Sequence, residues 1–129
     1  MEEEKILNTE ELEKVAGGIG WSPEVIYARA VAEIGKPAGS GASAVGPFSY
    51  DTSGLVSYCV SGNHIRIGTT NTFMTWPRVS DPRPGDICTN YSYCGIYAGN
   101  GSMIYVSSAK GCVTTGHMAS DMIIVRYGG

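Results

Sequence analysis

Charge is scarce in this chain: 16% of its 129 residues are Asp, Glu, Lys or Arg, against the ~25% usual for a soluble domain. With 43% hydrophobic residues beside it, that scarcity excludes charge-driven disorder and predicts a folded core. Long apolar runs are missing too. Nothing approaches the ~20 residues of a membrane-spanning helix, and the first residues lack the apolar centre of a secretory signal peptide. Lys and Arg form no cluster, which removes the electrostatic footprint of a nucleic-acid binder. There is no Cys-x-x-Cys pair, and Cys112 with His117 five residues on is a weak metal signal, so neither metal nor cofactor is expected. What is abundant is glycine, 18 residues, with 6 prolines, a content that favours many turns between short elements within one domain.

The net charge of -3 is unevenly distributed. Residues 1–18 hold six glutamates and two lysines, whereas the remainder holds six acids and seven bases. Thr9 is suited to cap a helix, Glu10 and Glu11 to its first turn, and Leu7, Leu12 and Val15 to one apolar stripe, with Gly17-Gly18 as the stop. An N-terminal helix packed on the body would satisfy this pattern. The order Leu7, Glu11, Leu12, Val15, Gly17, Gly18 also resembles the double-glycine leader of bacteriocin-type peptides. That resemblance implies a leader over 1–18, cleavage after Gly18 by an ABC transporter with a papain-like peptidase domain, and a mature chain of 19–129. Export would suit the four cysteines, Cys59, Cys88, Cys94 and Cys112, an even number compatible with two disulfides in any of three connectivities. Cys88 and Cys94 flank a hairpin turn at Asn90-Tyr91-Ser92 and are the favoured pair.

Along the body, Ser22-Pro23-Glu24 opens a helix that Gly35-Lys36-Pro37 ends, and residues 38–46 form a small, glycine-rich loop without the Lys-Ser/Thr ending of a phosphate loop. A second helix starts at Asp51-Thr52-Ser53, carries Leu55, Val56 and Cys59 inward, and breaks at Ser61-Gly62-Asn63; a short third lies within Thr70 to Trp76. After Pro84-Gly85 the pattern predicts five short strands, within 86–89, 93–98, 103–108, 111–115 and 122–127, with a turn at Gly99-Asn100-Gly101. Helices first and an antiparallel sheet afterwards make an α+β domain.

Four blocks, Asp51-Thr52-Ser53-Gly54-Leu55-Val56, Arg83-Pro84-Gly85-Asp86-Ile87, Gly95-Ile96-Tyr97-Ala98-Gly99-Asn100-Gly101 and Met103-Ile104-Tyr105-Val106-Ser107-Ser108, resemble successive motifs of the NlpC-type cell-wall peptidases. The resemblance runs from about Trp21 to Arg126. It implies a papain-like domain, helices packed on a five-stranded antiparallel sheet, and an ancestry of cysteine peptidases that cut the peptide stems of peptidoglycan. In that family a cysteine at a helix start is the nucleophile, a histidine on the sheet is its base, and a third polar residue orients the imidazole. Carried over, these positions are Thr52, Tyr93 and Tyr105, and all three are substituted. The tyrosine that the family tends to place after Gly-Lys-Pro is here Ala38.

These substitutions work against catalysis. An internal threonine has no accessible anion at neutral pH and no adjacent amine to serve it, and a phenol with a pKa of about 10 cannot accept a proton as imidazole does. Cys59, two turns or ~10 Å along the helix from Thr52, is expected in the core, and Cys94 is expected to turn away from the cleft. His64 and His117 lie outside the matched blocks. The expected protein is therefore an exported, catalytically inactive relative acting as a binding or interaction protein at the bacterial envelope. Asp51, Thr52, Ser53, Tyr93 and Tyr105 are its candidate groove, facing a stem peptide or a protein partner; equally, Tyr93 and Tyr105 could simply pack. An active peptidase with a rearranged site and a bacteriocin-like effector or its companion are the alternatives.

Overall fold

The computed structural model describes residues 22–127. Helix α1 spans Pro23–Ala32, α2 Thr52–Ser61 and α3 Thr70–Phe73. The strands are β1 Ile87–Thr89, β2 Cys94–Gly99, β3 Ser102–Ser107, β4 Cys112–His117 and β5 Ile123–Val125, in one antiparallel sheet ordered β4-β3-β2-β1-β5. This is an α+β, papain-like arrangement of the NlpC type. Among the described residues no helix is long and apolar enough to cross a membrane.

Each helix begins where its cap allows. The Ser22 side chain accepts from the Glu24 amide and Pro23 occupies the first turn of α1, where its missing N–H costs nothing. Asp51 caps α2, accepting from Gly54 N at 2.7 Å, and Gly62 ends that helix in the left-handed region at φ 75°. Leu55, Val56, Cys59 and Val60 of α2 are fully buried and pack with Ile26 and Ala30 of α1 against Ile87, Ile96, Ile104, Val113 and Val125 of the sheet. At about 1.5–3 kcal/mol for each large aliphatic side chain removed from water, this layer is the main source of stability. The 38–50 loop closes onto α2: a Cβ on Gly54 would stand 1.9 Å from the Ala44 carbonyl oxygen, so only glycine admits the contact. The loop is anchored by Tyr50, whose hydroxyl donates to Glu33 Oε1 at 2.8 Å.

Arg83-Pro84-Gly85-Asp86 serves the frame. Asp86 is buried, accepts from the Arg83 amide at 2.7 Å, and is held by Arg126 Nε and Nη2 at 2.7 and 2.9 Å. The charge is thus paired on both oxygens, as a buried carboxylate requires.

Strands β4 and β5 stand at opposite edges, so residues 118–122 cross the sheet. They do so on the face away from the helices: Met118 N donates to Gly101 O, and Asn90 Nδ2 donates to Asp121 Oδ1 at 2.9 Å. Beneath them lies a second cluster of Cys88, Met103, Met118 and Met122 with Tyr93, Tyr97, Tyr105 and Ile124.

The disulfide expectation is overturned, because all four cysteines are free thiols. Register explains the favoured pair. Cys88 pairs with Gly95 and Thr89 with Cys94, so Cys88 and Cys94 alternate onto opposite faces of the sheet. Cys59 is buried among apolar side chains on α2, and Cys112 is half-buried on the edge strand β4, where Pro37 bridges to it. Cys112 and His117 occupy the two ends of β4, about 17 Å apart at strand rise, too far to share an ion.

Candidate functional site

The site forms where the N-terminus of α2 meets the start of β2. Asp51 is extended and caps the helix, which leaves Thr52 as its first residue, pointing at the strand. Thr52 Oγ1 donates to the Cys94 carbonyl oxygen at 2.9 Å and receives the Cys94 amide at 3.4 Å. Cys94 Sγ donates in turn to Thr52 O at 3.5 Å and stands 3.9 Å from Thr52 Oγ1. Cys94 does turn into the core, as alternation predicts, yet the core at that point is the underside of Thr52.

Tyr93 precedes β2 in a turn built by Asn90, whose side-chain oxygen accepts from the Ser92 and Tyr93 amides at 2.8 and 2.7 Å. Its ring meets Tyr105 edge-on, centroids 5.8 Å apart, within the range of a favourable aromatic pair. Tyr105 in turn lies across Gly116 of β4: a Cβ there would come within 2.9 Å of its ring. The two tyrosines therefore pack as a half-buried aromatic wall at the end of the sheet.

The second half of the site is a guanidinium that sequence reasoning missed. Arg66 Nη1 and Nη2 each meet one oxygen of Asp51 at 3.0 Å, Nη1 also donates to Ser53 Oγ at 2.6 Å, and Nη2 to Gly41 O at 3.0 Å. One side chain thus ties the cap of α2, its second residue and the glycine-rich loop. No spacing rule joins residues 51 and 66; the only sequence signal is that Arg66 is the one Lys or Arg between Lys36 and Arg78.

The proton chemistry follows from burial. Desolvation pushes the Cys94 thiol up to about 12, against a smaller opposing effect of the Thr52 hydroxyl 3.9 Å from its sulfur. Roughly one thiol in 10⁵ is then ionised at pH 7. Burial also raises the Tyr93 phenol, helped by Tyr105 and Cys94 and opposed weakly by the nearby Thr52 hydroxyl. Cys59 is raised further still by burial. The proton of Thr52 is committed to a backbone carbonyl. His64 is placed away from this cluster, its Nδ1 against Val45 O at 2.9 Å and its ring stacked on Tyr58, and His117 is exposed. Among the described residues, neither a thiolate nor an imidazole stands beside Thr52. Gly17 and Gly18, the expected leader cleavage site, lie outside the described residues.

No family model and no curated protein matches the sequence. Solved structures do. The chain superposes on the peptidoglycan hydrolase RipB from Mycobacterium tuberculosis with TM-score 0.67 and 22% identity, over 83% of this chain and 65% of that one. The P60 domain of an antigen from M. avium subspecies paratuberculosis gives TM-score 0.68 and 22% identity, over 83% of this chain and 95% of the domain. The fold is that of the NlpC/p60 domains. RipD from M. tuberculosis, described as a non-catalytic NlpC/p60 domain protein adapted to peptidoglycan binding, gives TM-score 0.62 and 22% identity, over 81% of this chain and 95% of that one. The chain thus spans about two thirds of RipB but nearly all of the single NlpC/p60 domains.

Proposed function

We propose that the protein is a catalytically inactive NlpC/p60-type domain that binds peptide stems of peptidoglycan at the bacterial envelope, after export behind a leader over residues 1–18. The observation that carries the inactive reading is the hydroxyl of Thr52. It sits at the helix start where the family's thiol would stand, and it spends its proton on Cys94 O instead of a base. Removing a nucleophile or base from such a machine costs on the order of 10⁶ in turnover, and here both positions are changed.

What supports binding is the survival of the groove's frame around the lost chemistry. Asp51, Ser53 and Arg66 hold fixed polar groups at the start of α2, and Tyr93 and Tyr105 pair edge-on where the chain enters β2, next to the Cys94 that Thr52 contacts. RipD supplies a precedent for this fold without catalysis. The test is a two-dimensional amide NMR titration of residues 19–129 with a stem tetrapeptide, monitoring peptide integrity in the same tube. Saturable shifts around Thr52, Tyr93 and Tyr105 with intact peptide are expected. New peptide fragments would overturn the inactive reading, and a spectrum without change would overturn peptidoglycan as the ligand.

A further inference from the structure

On the sheet face opposite the helices, four sulfur-bearing side chains converge under the crossing segment 118–122: Cys88 from β1, Met103 from β3, and Met118 and Met122 from the crossing itself. Cys88 is fully buried, and its Sγ lies 4.0 Å from Met118 Sδ. Met103 is brought to the same spot by Gly95, the cross-strand partner of Cys88. The Met103 sulfur lies over that glycine, 3.0 Å from where a Cβ would be, so any side chain there would push it away. Met122 is buried in the same cluster and enters β5 beside the residue pair Thr89 and Ile123. The crossing is held down at both ends, by Met118 N on Gly101 O and by Asp121 on Asn90.

We propose that this cluster is a binding site for one soft monovalent cation, Cu(I) or its redox-inert analogue Ag(I), held by the Cys88 thiolate and by thioethers of Met103, Met118 and Met122. The donor set decides the class. Thiolate and thioether sulfurs are soft ligands that select Cu(I), whereas the neighbouring carboxylates are engaged elsewhere, Asp86 by Arg126 and Asp121 by Asn90. Charge agrees. One thiolate neutralises one monovalent cation, so the loaded site is neutral within an apolar layer; a divalent ion would leave an uncompensated buried charge. Geometry agrees as well. Four sulfurs about 2.3 Å from an ion at their centre would stand about 3.8 Å from each other, close to the 4.0 Å that Cys88 Sγ and Met118 Sδ already keep. The flexible methionine chains can turn their sulfurs onto the ion without moving the strands.

Binding breaks the Cys88 S–H bond and forms an S–metal bond, with the proton released to solvent, so one proton leaves for each ion bound and no electron is transferred. Entry is on the side of Met118, which is half-buried.

The test uses the reduced full chain carrying Cys112→Ser, which removes the accessible thiol. Ag(I) is titrated while methionine methyl signals are followed by ¹³C NMR and stoichiometry by native mass spectrometry. Expected are one ion per chain and shifts of Met103, Met118 and Met122, with Met74 as an unmoved reference. Met118→Leu keeps the packing volume and removes a donor; it should weaken binding by more than about tenfold, at least the loss that disturbing an outer-shell partner gives. Cys88→Ser should abolish the one-to-one complex. Retention of the ion by both variants, shifts confined to other methionines, or no retention at one equivalent would each overturn the site. If Cys88→Ser fails to fold, Met118→Leu and Met122→Leu decide alone.

Discussion

Replacing Arg66 with methionine should loosen the candidate groove more than any other single surface change. The substitution keeps an unbranched stem and removes the guanidinium, and with it two charge-assisted contacts to Asp51, one bond to Ser53 Oγ and one to Gly41 O. Hydrogen bonds to charged groups contribute about 1.5–3 kcal/mol each, but these four share one side chain, and Asp51 keeps its bond from Gly54 N and some access to water. The net cost worked from this geometry is about 2–3 kcal/mol. At roughly 4 °C per kcal/mol for a domain of this size, the melting midpoint should fall by about 8–12 °C. Asp51→Asn separates pairing from capping, because asparagine still caps α2 while its charge is gone; a smaller loss of about 1–2 kcal/mol is expected. In a double-mutant cycle the two changes should couple by about 1 kcal/mol or more. Thermal melts followed by circular dichroism, with hydrogen exchange at residues 39–46, measure both. An Arg66→Met protein melting within about 2 °C of the parent, with unchanged exchange in that loop, would refute the reasoning.

Assayed under reducing conditions, Thr52→Cys alone should show no stem-peptide hydrolysis above background, since Tyr93 supplies no base, whereas Thr52→Cys with Tyr93→His and Tyr105→His should show weak turnover; appreciable activity in the single variant would contradict the account of the base. Stability should be flat up to the ordinary thiol range near 9 and fall above it. Cys88 and Cys94 are raised in the folded state to about 12, so the folded form holds protons the unfolded form has lost, a loss of about 1.4 kcal/mol per pH unit for each thiol. Urea titrations at pH 8, 9 and 10 check the sign, and a midpoint rising with pH would be the wrong one. Residues 19–129 alone should melt within about 10 °C of the full chain, a larger drop marking residues 1–18 as part of the structure.

The local rules of capping, glycine stops and strand alternation were enough to locate every described element within a few residues. Ser22, Asp51 and Gly62 carry that information in their own side chains or lack of one. Thr52 and Tyr105 could be singled out because they lie inside contiguous sequence blocks, and Tyr93 because it stands two residues before one. What escaped were contacts made by chain crossing. Arg66 reaches Asp51 because the segment after α2 runs back along the helix, and the sulfur cluster exists because 118–122 passes over the sheet. The pairing of Cys88 with Cys94 failed on register: a turn held by Asn90 sets which residues oppose, and a shift of one moves a thiol to the other face.

The thiol beneath Thr52 bears on whether a sulfur nucleophile could be built at the start of α2. A cysteine at position 52 would set its sulfur near the point now held by Thr52 Oγ1, 3.9 Å from Cys94 Sγ, and modest side-chain rotation would close that gap to a disulfide bond of about 2.05 Å. In an oxidising compartment the reintroduced nucleophile would be consumed by its own neighbour before meeting a substrate. A lasting thiol at position 52 would then require Cys94 to change first, a step that brings no activity by itself. Under the proposed function Cys94 would act as a ratchet, because a sulfur nucleophile could persist at the start of α2 only in its absence.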